Sequence, residues 1–440
     1  MKIKRFFMIF FILLFIFNMN TCSGASNSPE ISAEAAILID SKSEKVLYSK
    51  NETSKMYPAS TTKILTAILT LENCNLNDIV TVPYDAISSI PSGYSVAALQ
   101  AGEQLPIEQL LELLLVHSAN DAANVLAYHV SGSISEFANL MNKKVEELGL
   151  ENTHFTNPSG AHDDNHYTTA HDLAIMMKYC MNNSDFRRLA GLKYCKIPAT
   201  NKYDERVFNT TNELLTHTNS SNYYYKYAIA GKTGYTSQAK NCLVSVSNKD
   251  DLELICVVLS AGLYTNNLSA KFIDSKTLFN YGYDNYTIRK LREKDAVATQ
   301  IEFNKATKET KYLDLLISDD ITVLIPQSDL NTDFSPEIEV DDNLSLPISK
   351  GQVVGKIIYN IDGIEYSANL LAANSVEKNS YIKLLIQILM VIFILFLLYK
   401  LLFENRTKKH TIKKKYWYKG QIIICPFLDS NFLYLKNLFL

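Results

Sequence analysis

Residues 58–71 have the sequence PASTTKILTAILTL. Its apolar residues predict a helix over 63–71, with a serine and a lysine at its start. Because positions three apart share one face of a helix, Lys63 is expected within hydrogen-bond reach of Ser60. A serine hydroxyl is a weak nucleophile without an adjacent base, and a buried neutral lysine can serve as that base. The backbone N–H groups at the helix start would face a developing oxyanion.

The same Ser-x-x-Lys spacing also occurs at Ser237, Ser375 and Ser380, where a solvated cap or turn explains it. The motif at Ser60 therefore needs support from other parts of the chain.

Two further motifs supply polar groups suited to peptide chemistry. Residues 118–120 (Ser-Ala-Asn) follow a predicted helix over 107–116, so that Ser118 can relay protons and Asn120 can bind a substrate amide. A plain N-cap is the alternative interpretation of Ser118. Residues 232–234 (Lys-Thr-Gly) occur once, where Lys232 and Thr233 could hold a carboxylate. Gly234 would let the backbone approach a ligand closely, although an ordinary turn into a strand is also possible.

The pattern of apolar residues predicts two folded domains. Strands over 35–39 and 46–48, helices over 107–116 and 122–130, and a hairpin over 242–259 indicate an α/β (α+β) domain from 30 to 283.

From 286 to 375 the predicted segments are short and strand-like. Runs over 321–325, 353–358 and 364–371, the last two flanking Asp362-Gly363, indicate a small all-β domain acting as a stalk.

Both ends of the chain carry targeting patterns. Basic residues, an apolar run over 6–17 and small residues up to Ala25 predict a cleaved signal peptide over 1–25. Cys22 leaves lipidation as an alternative.

The apolar run over 381–403 is long enough to span a bilayer, and the basic tail over 404–440 predicts that the C-terminus is cytoplasmic. The expected protein is a single-pass bacterial membrane protein with its catalytic domain outside, and an interfacial helix is expected over 421–440.

Composition limits the function further. The net charge of −3 over 440 residues gives no global attraction to nucleic acid, so no nucleic-acid partner is expected. The seven cysteines lack Cys-x-x-Cys or zinc-type spacing. Cys180 and Cys195 could pair, but free buried thiols are favoured. No cofactor and no metal are predicted.

The order Ser-x-x-Lys, Ser-x-Asn, Lys-Thr-Gly resembles the signature of penicillin-binding proteins and serine β-lactamases. The chain resembles the low-molecular-mass penicillin-binding proteins, which are serine D-alanyl-D-alanine carboxypeptidases with a β-lactamase/transpeptidase-like domain. Further stretches share this resemblance: 157–160 (NPSG), 166–173 (HYTTAHDL), 231–236 (GKTGYT) and 350–355 (KGQVVG).

The resemblance implies an acyl-enzyme reaction on peptidoglycan stem pentapeptides, with β-lactams as acylating inhibitors. It makes Ser60 the nucleophile, Lys63 its base and Ser118 the proton relay. The implied substrate-binding residues, in addition to the three catalytic ones, are Asn120, Lys232, Thr233, Gly234 and Tyr235. The N–H groups of Ser60 and Tyr235 would form the oxyanion hole.

The chain departs from the family pattern at two positions. Ala119 replaces a glycine of the second motif, and Ala239-Lys240 stands where Ala-Gly is frequent. Neither departure removes a catalytic side chain, although the second would alter the wall of the cleft.

Four other functions remain as alternatives. A zinc peptidase would use the His and Asp residues of 162–172, but the chain has no His-Glu-x-x-His. A serine β-lactamase would need a route for water, and no Glu-x-x-Leu-Asn lies between Ser118 and Lys232. A membrane-bound β-lactam sensor would need several membrane helices ahead of the domain. A cell-wall-binding pseudoenzyme conflicts with three intact motifs.

Overall fold

The computed structural model describes residues 28–88, 90–217, 223–264, 268–379, 381–408, 417–418 and 421–422. The predicted signal peptide over 1–25 lies outside the described residues, as does most of the tail over 404–440.

The helices begin with an apolar one at the candidate nucleophile. They are α1 Lys63–Asn73, α2 Tyr84–Ser88, α3 Ile107–Val116, α4 Asn120–Ser131, α5 Ile134–Glu147, α6 Ala170–Met181, α7 Ser184–Ala190, α8 Ala270–Asn285 and α9 Tyr381–Lys408. The helix predictions over 63–71, 107–116 and 122–130 are confirmed.

The strands are short at the start of the chain and longer around the third motif. They are β1 Ala35–Asp40, β2 Val46–Lys50, β3 Ile79–Thr81, β4 Gln104–Pro106, β5 Tyr194–Ile197, β6 Arg206–Asn209, β7 Ala228–Thr236, β8 Lys240–Lys249, β9 Leu252–Ala261, β10 Tyr286–Arg292, β11 Val297–Glu302, β12 Tyr312–Ile317, β13 Ile321–Pro326, β14 Glu337–Val340, β15 Val353–Ile361, β16 Ile364–Ala372, β17 Trp417–Tyr418 and β18 Gln421–Ile422.

The chain divides into two compact units. Among the described residues, the first unit contains 28–296 together with 317–339 and 355–370, and the second contains 297–316, 340–354 and the residues from 371 onward. The domain boundaries 30–283 and 286–375 stay a prediction.

An antiparallel sheet in the order β2-β1-β9-β8-β7 forms the centre of the first unit. Side chains alternate between its faces, so Ile37 packs into one apolar cluster and Leu38 into the other. Helices α1 and α3 to α7 contribute to the first cluster, and α8 covers the opposite face with Phe272 and Phe279. The sheet is therefore buried on both sides, which explains the apolar runs of β8 and β9.

Two tight hairpins follow the expected turn chemistry. Asp250 and Asp251 between β8 and β9 have left-handed backbone angles, with φ of 51° and 65°. Asp362 and Gly363 between β15 and β16 have φ of 52° and 79°. Positive φ at both central residues is the type I′ geometry that matches strand twist, so both predicted hairpins are confirmed.

In the second unit, β11 pairs with β12 in antiparallel register. In the first unit, β10 pairs with β13 in the same sense. These short strands confirm the β-rich C-terminal region.

Within the described residues, one helix is long and apolar enough to cross a membrane, over Leu384–Leu402. It forms most of α9, and its large apolar side chains are exposed. The expected C-terminal apolar helix is therefore present.

The five cysteines among the described residues are unpaired. Cys180 and Cys195 are both buried and free, so the expected free thiols are confirmed and the 180–195 disulfide is wrong.

The candidate nucleophile turn is held by a close backbone approach at Gly160. This glycine has φ of +79°, and a Cβ there would lie 1.8 Å from the carbonyl oxygen of Ala59. Gly149 has a similar φ of +69° but nothing within 4 Å of an added Cβ.

We predict that Gly160→Ala lowers the free energy of unfolding far more than Gly149→Ala. Both variants carry the left-handed strain of about 1–3 kcal/mol, but only Gly160→Ala also forces the Ala59 backbone to move. Thermal unfolding of the two full-length variants measures the difference. Equal losses of stability would show that the approach to Ala59 is not tight.

Candidate active site

Ser60 lies on a short 3₁₀ turn, Ala59–Thr62, that leads directly into α1. Thr61 Oγ1 donates to the carbonyl of Pro58 at 2.8 Å, and Thr62 Oγ1 donates to that of Ala59 at 2.8 Å. Ala59 has a left-handed φ of 49°. The turn thus presents Ser60 to the cleft while its neighbours stay buried.

Lys63, the first residue of α1, is fully buried and its amine has three polar neighbours. The Nζ atom lies 3.0 Å from Ser60 Oγ, 2.8 Å from Asn120 Oδ1 and 2.6 Å from the carbonyl oxygen of Ser159. The predicted contact between Ser60 and Lys63 is confirmed.

These three contacts are those expected if the Lys63 amine accepts the proton of the Ser60 hydroxyl. A neutral amine has two N–H donors and one lone pair. Asn120 Oδ1 and the Ser159 carbonyl can only accept, so they take both donors and leave the lone pair for the Ser60 hydroxyl.

Burial holds the pKa of Lys63 well below its ordinary value, and the nearby cation Lys232 lowers it further. Asp121 acts in the opposite direction with a smaller effect. Because the neighbours that accept from the amine are uncharged, no ion pair restores the ammonium form.

Two asparagines hold these acceptors in place. Asn120 Nδ2 donates to the carbonyl of Ser95 at 2.8 Å, which turns its Oδ1 toward Lys63. Asn157 Oδ1 accepts from the backbone N–H groups of Ser159, Gly160 and Ala161. The NPSG motif therefore fixes the loop whose carbonyl accepts from Lys63.

Ser118 has a left-handed φ of 65°, and its Oγ accepts from Lys232 Nζ at 2.8 Å. The N-cap of α4 is Ala119, which makes no side-chain cap. The alternative interpretation of Ser118 as a plain N-cap is therefore wrong. Its backbone conformation aims the hydroxyl at the third motif.

The third motif lies within β7, whose edge forms one wall of the cleft. Thr233 Oγ1 lies 2.6 Å from Thr211 Oγ1. A Cβ at Gly234 would lie 3.0 Å from the backbone nitrogen of Ser60, so the expected close approach at this glycine is present. Tyr235 is 65 % exposed beside it.

Burial, followed by the neighbouring cation Lys271, lowers the pKa of Lys232 to about 7. Lys271 on α8 has its own pKa lowered by burial, and its Nζ donates to Asn241 Oδ1 at 3.2 Å. Its side chain lines the cleft. Two cationic groups therefore lie near the site of the expected substrate carboxylate.

The structure brings all eight predicted residues together around one cavity of about 510 Å³. Ser60, Ser118, Asn120, Thr233, Gly234 and Tyr235 line it. Lys63 and Lys232 are buried and reach the two serines.

Sequence reasoning missed several lining residues: Lys271, Thr211, His117 and the loop over 92–95. None belongs to one of the three motifs, although His117 directly precedes Ser118; the others reach the cavity from parts of the chain distant from the motifs. Only for His117 could the sequence have given a signal, namely its position next to Ser118.

The residues of the alternative zinc site have protein partners instead. Thr169 Oγ1 accepts from the backbone N–H of Asp172 at 3.0 Å and so caps the N-terminus of α6. His166 is buried, and burial lowers its pKa to about 3. In the part of the chain that is described, no three His, Cys, Asp or Glu side chains form a group able to hold a metal.

Comparison with known proteins supports an assignment. The family model described as D-alanyl-D-alanine carboxypeptidase matches residues 22–262, and that of the penicillin-binding protein 5 C-terminal domain matches 286–378. The chain is 31 % identical over 357 residues to D-alanyl-D-alanine carboxypeptidase DacF of Bacillus subtilis, covering 79 % of this chain and 86 % of that one. It is 30 % identical to DacA of Haemophilus influenzae, covering 80 % and 86 %.

Among solved structures, penicillin binding protein 5 of Haemophilus influenzae is similar with a TM-score of 0.63 at 29 % identity, over 80 % of this chain and 99 % of that one. The resemblance carried by the three motifs is confirmed, and the chain belongs to the D-alanyl-D-alanine carboxypeptidase family.

Proposed function

We propose that Ser60 is the nucleophile with which this serine-type D-alanyl-D-alanine carboxypeptidase removes the terminal D-alanine of peptidoglycan stem pentapeptides. The observation that carries the proposal is the position of Lys63, buried and 3.0 Å from Ser60 Oγ, with both of its N–H donors directed elsewhere.

In the first step, Ser60 Oγ attacks the carbonyl carbon of the penultimate D-alanine, and its proton passes to Lys63. The oxyanion that forms would accept from the backbone N–H groups of Ser60 and Tyr235. Such fixed donors are often the largest electrostatic contribution to acyl transfer. The close approach of Gly234 to the Ser60 nitrogen supports this assignment, since it brings the two backbone segments together.

The terminal carboxylate would be bound by Lys232 and Thr233. Lys232 is a cation when protonated, and Thr233 has a hydroxyl in the cleft wall. Lys271 adds a second positive charge on the same side. Asn120, which accepts a hydrogen bond from Lys63, would also position the substrate amide. An anion at this end of the cleft suits an enzyme that acts on a free C-terminus.

In the second step, the amide nitrogen of the leaving D-alanine must gain a proton. Ser118 is placed to donate it, because its hydroxyl already contacts Lys232 Nζ and can be reprotonated from there. Once the proton on Lys63 has been returned to the Ser118–Lys232 pair, Lys63 is neutral again and takes a proton from the water that attacks the acyl-enzyme. The bond between the acyl carbon and Ser60 Oγ then breaks, Lys63 gives that proton to Ser60 Oγ, and the shortened peptide leaves. The reaction assigns every proton transfer to a side chain of the chain itself.

β-Lactam binding is typical of the family. A β-lactam presents an amide and a carboxylate in a spacing similar to that of the substrate, so Ser60 would also be acylated by penicillins.

We further propose how the chain is organised. The predicted signal peptide covers 1–25, the peptidase domain 30–283, the β-rich domain 286–375, the membrane anchor 381–403 and the basic cytoplasmic tail 404–440. Matches to separate family models over 22–262 and 286–378 support two domains. The apolar helix over Leu384–Leu402 and the basic residues behind it support a single-pass anchor with the peptidase outside a bacterial membrane.

We expect a labelled penicillin to acylate wild-type protein at Ser60 and to leave Ser60→Ala unlabelled. Lys63→Arg should lose acylation by several orders of magnitude, because arginine stays protonated and cannot take the proton. Peptide mapping of the adduct and D-alanine release from a pentapeptide substrate measure the two effects.

Turnover should survive EDTA in the same assay. Label on Ser60→Ala, D-alanine release by Lys63→Arg at the wild-type rate, or loss of turnover on chelation that zinc restores would each overturn the mechanism.

The pH dependence of substrate selectivity should reveal the charge of Lys232. Lys232, with a pKa of about 7, loses its charge as pH rises, so recognition of a carboxylate should weaken above pH 7. The ratio of kcat/KM for a substrate with a terminal carboxylate to that for its carboxamide should therefore fall between pH 6 and 8.

In Lys232→Arg, which keeps its charge, the same ratio should be independent of pH. A constant ratio in the wild-type protein would show that Lys232 is not the carboxylate cation.

A fragment of residues 26–375 should be soluble and react with penicillin, because the proposed catalytic residues all precede 236. The full chain should sediment with membranes, and protease added outside intact cells should release its peptidase domain. A folded fragment that fails to bind penicillin would mean that the membrane segment contributes to the site.

A further inference from the structure

His166 is buried, 2 % exposed, and lies within the family-like stretch 166–173, but the mechanism above does not use it. Its two ring nitrogens have different partners. Nδ1 lies 3.0 Å from the backbone nitrogen of Thr156, and Nε2 lies 2.8 Å from Thr62 Oγ1.

These contacts determine which nitrogen carries the proton. The backbone N–H of Thr156 can only donate, so Nδ1 accepts and the proton of a neutral ring is on Nε2. The Nε2–H group then donates to Thr62 Oγ1, whose own proton goes to the carbonyl oxygen of Ala59 at 2.8 Å. A directed chain thus runs from the Thr156 amide through His166 and Thr62 to Ala59.

This series of hydrogen bonds ends at the carbonyl oxygen of Ala59, which belongs to the same peptide group as the N–H of Ser60. A trans peptide is planar, so the C=O of Ala59 and the N–H of Ser60 point in opposite directions. Holding the Ala59 oxygen on the Thr62 side directs the Ser60 N–H toward Gly234 and the cleft. Ala59 needs such support because its φ of 49° is unfavourable for a residue with a side chain.

We propose that His166 is a positioning residue that fixes the oxyanion-binding N–H of Ser60 through Thr62. The proposal rests on the function proposed above. It assigns no proton transfer to His166, which acts on the reaction by orienting one peptide plane.

The test compares variants that remove the two hydrogen bonds of His166 with variants that retain them. His166→Leu removes both bonds, whereas His166→Gln can accept from Thr156 through its oxygen and donate to Thr62 through its amide. We expect His166→Leu to lower the rate of acylation and kcat about tenfold or more, a part of the 10²–10³-fold effect of losing an oxyanion donor. KM should change little, and His166→Gln should recover most of the rate.

Thr62 supplies a second, independent pair. Thr62→Val should slow acylation as His166→Leu does, and Thr62→Ser should retain most of the rate. Because both residues act through one chain, the double variant His166→Leu/Thr62→Val should be no slower than the worse single variant.

Thr70, in the helix α1 that directly follows Thr62, provides the matched control for loss of a buried hydroxyl. Its Oγ1 donates to the carbonyl of Thr66 at 2.8 Å, away from the cleft. Thr70→Val should lower the melting temperature as Thr62→Val does, yet acylate at the wild-type rate. A fall in rate that tracked the melting temperature across both variants would indicate a structural role only and overturn the proposal.

Three other outcomes would also overturn it: wild-type acylation by a folded His166→Leu, a Gln variant as slow as the Leu variant, or losses that multiply in the double variant. If His166→Leu does not fold, equal rates for Thr62→Val and Thr62→Ser decide against it. Failure of the function itself is distinct, because wild-type protein would then not be labelled at Ser60.

Discussion

The burial of Lys63 is the constraint on which the rest of the site depends. A buried ammonium group without a counter-ion is costly, so burial holds the pKa of Lys63 well below its ordinary value and favours the neutral amine. A neutral amine still has two N–H donors that require acceptors. Asn120 and the loop carbonyl of Ser159 provide them, and both acceptors come from segments far along the chain. The second motif and the NPSG loop are thus required by one buried nitrogen.

The backbone is also closely packed around the nucleophile. The peptide between Ala59 and Ser60 is confined on one side by Gly160 and on the other by Gly234, where a Cβ would come within 1.8 Å and 3.0 Å of backbone atoms. Since each approach excludes a side chain, each glycine belongs to a motif for a steric reason. The two departures at Ala119 and Lys240 fall elsewhere. Ala119 has an ordinary φ of −62°, so no glycine is needed there.

Local patterns in the sequence were sufficient for the helices, both hairpins and the contact between Ser60 and Lys63, because each depends on residues within one or two turns. The order of the three motifs then placed Ser118 and Lys232 in one site. Their direct contact, across 114 residues, follows from a left-handed backbone at Ser118 that no local pattern indicates. Lys271 and the partners of His166 were also missed, because no local pattern indicates their contacts. They join segments whose proximity is created only when α8 and the loop before α6 pack against the core.

The two lysines of the site show how one cleft can hold a base and a cation together. Burial lowers the pKa of both lysines, and a neighbouring cation lowers each pKa further: Lys232 acts on Lys63, and Lys271 acts on Lys232. Lys63 is enclosed by uncharged acceptors, which favour its neutral form. Lys232, beside Ser118 and the open cleft, has a pKa of about 7, and an arriving carboxylate favours its charged form. A bound substrate anion thus stabilises the cation on the Lys232 side, and that cation opposes protonation of Lys63. When the environment of a site gives two like groups different pKa values, one group can act as a base while the other stays charged.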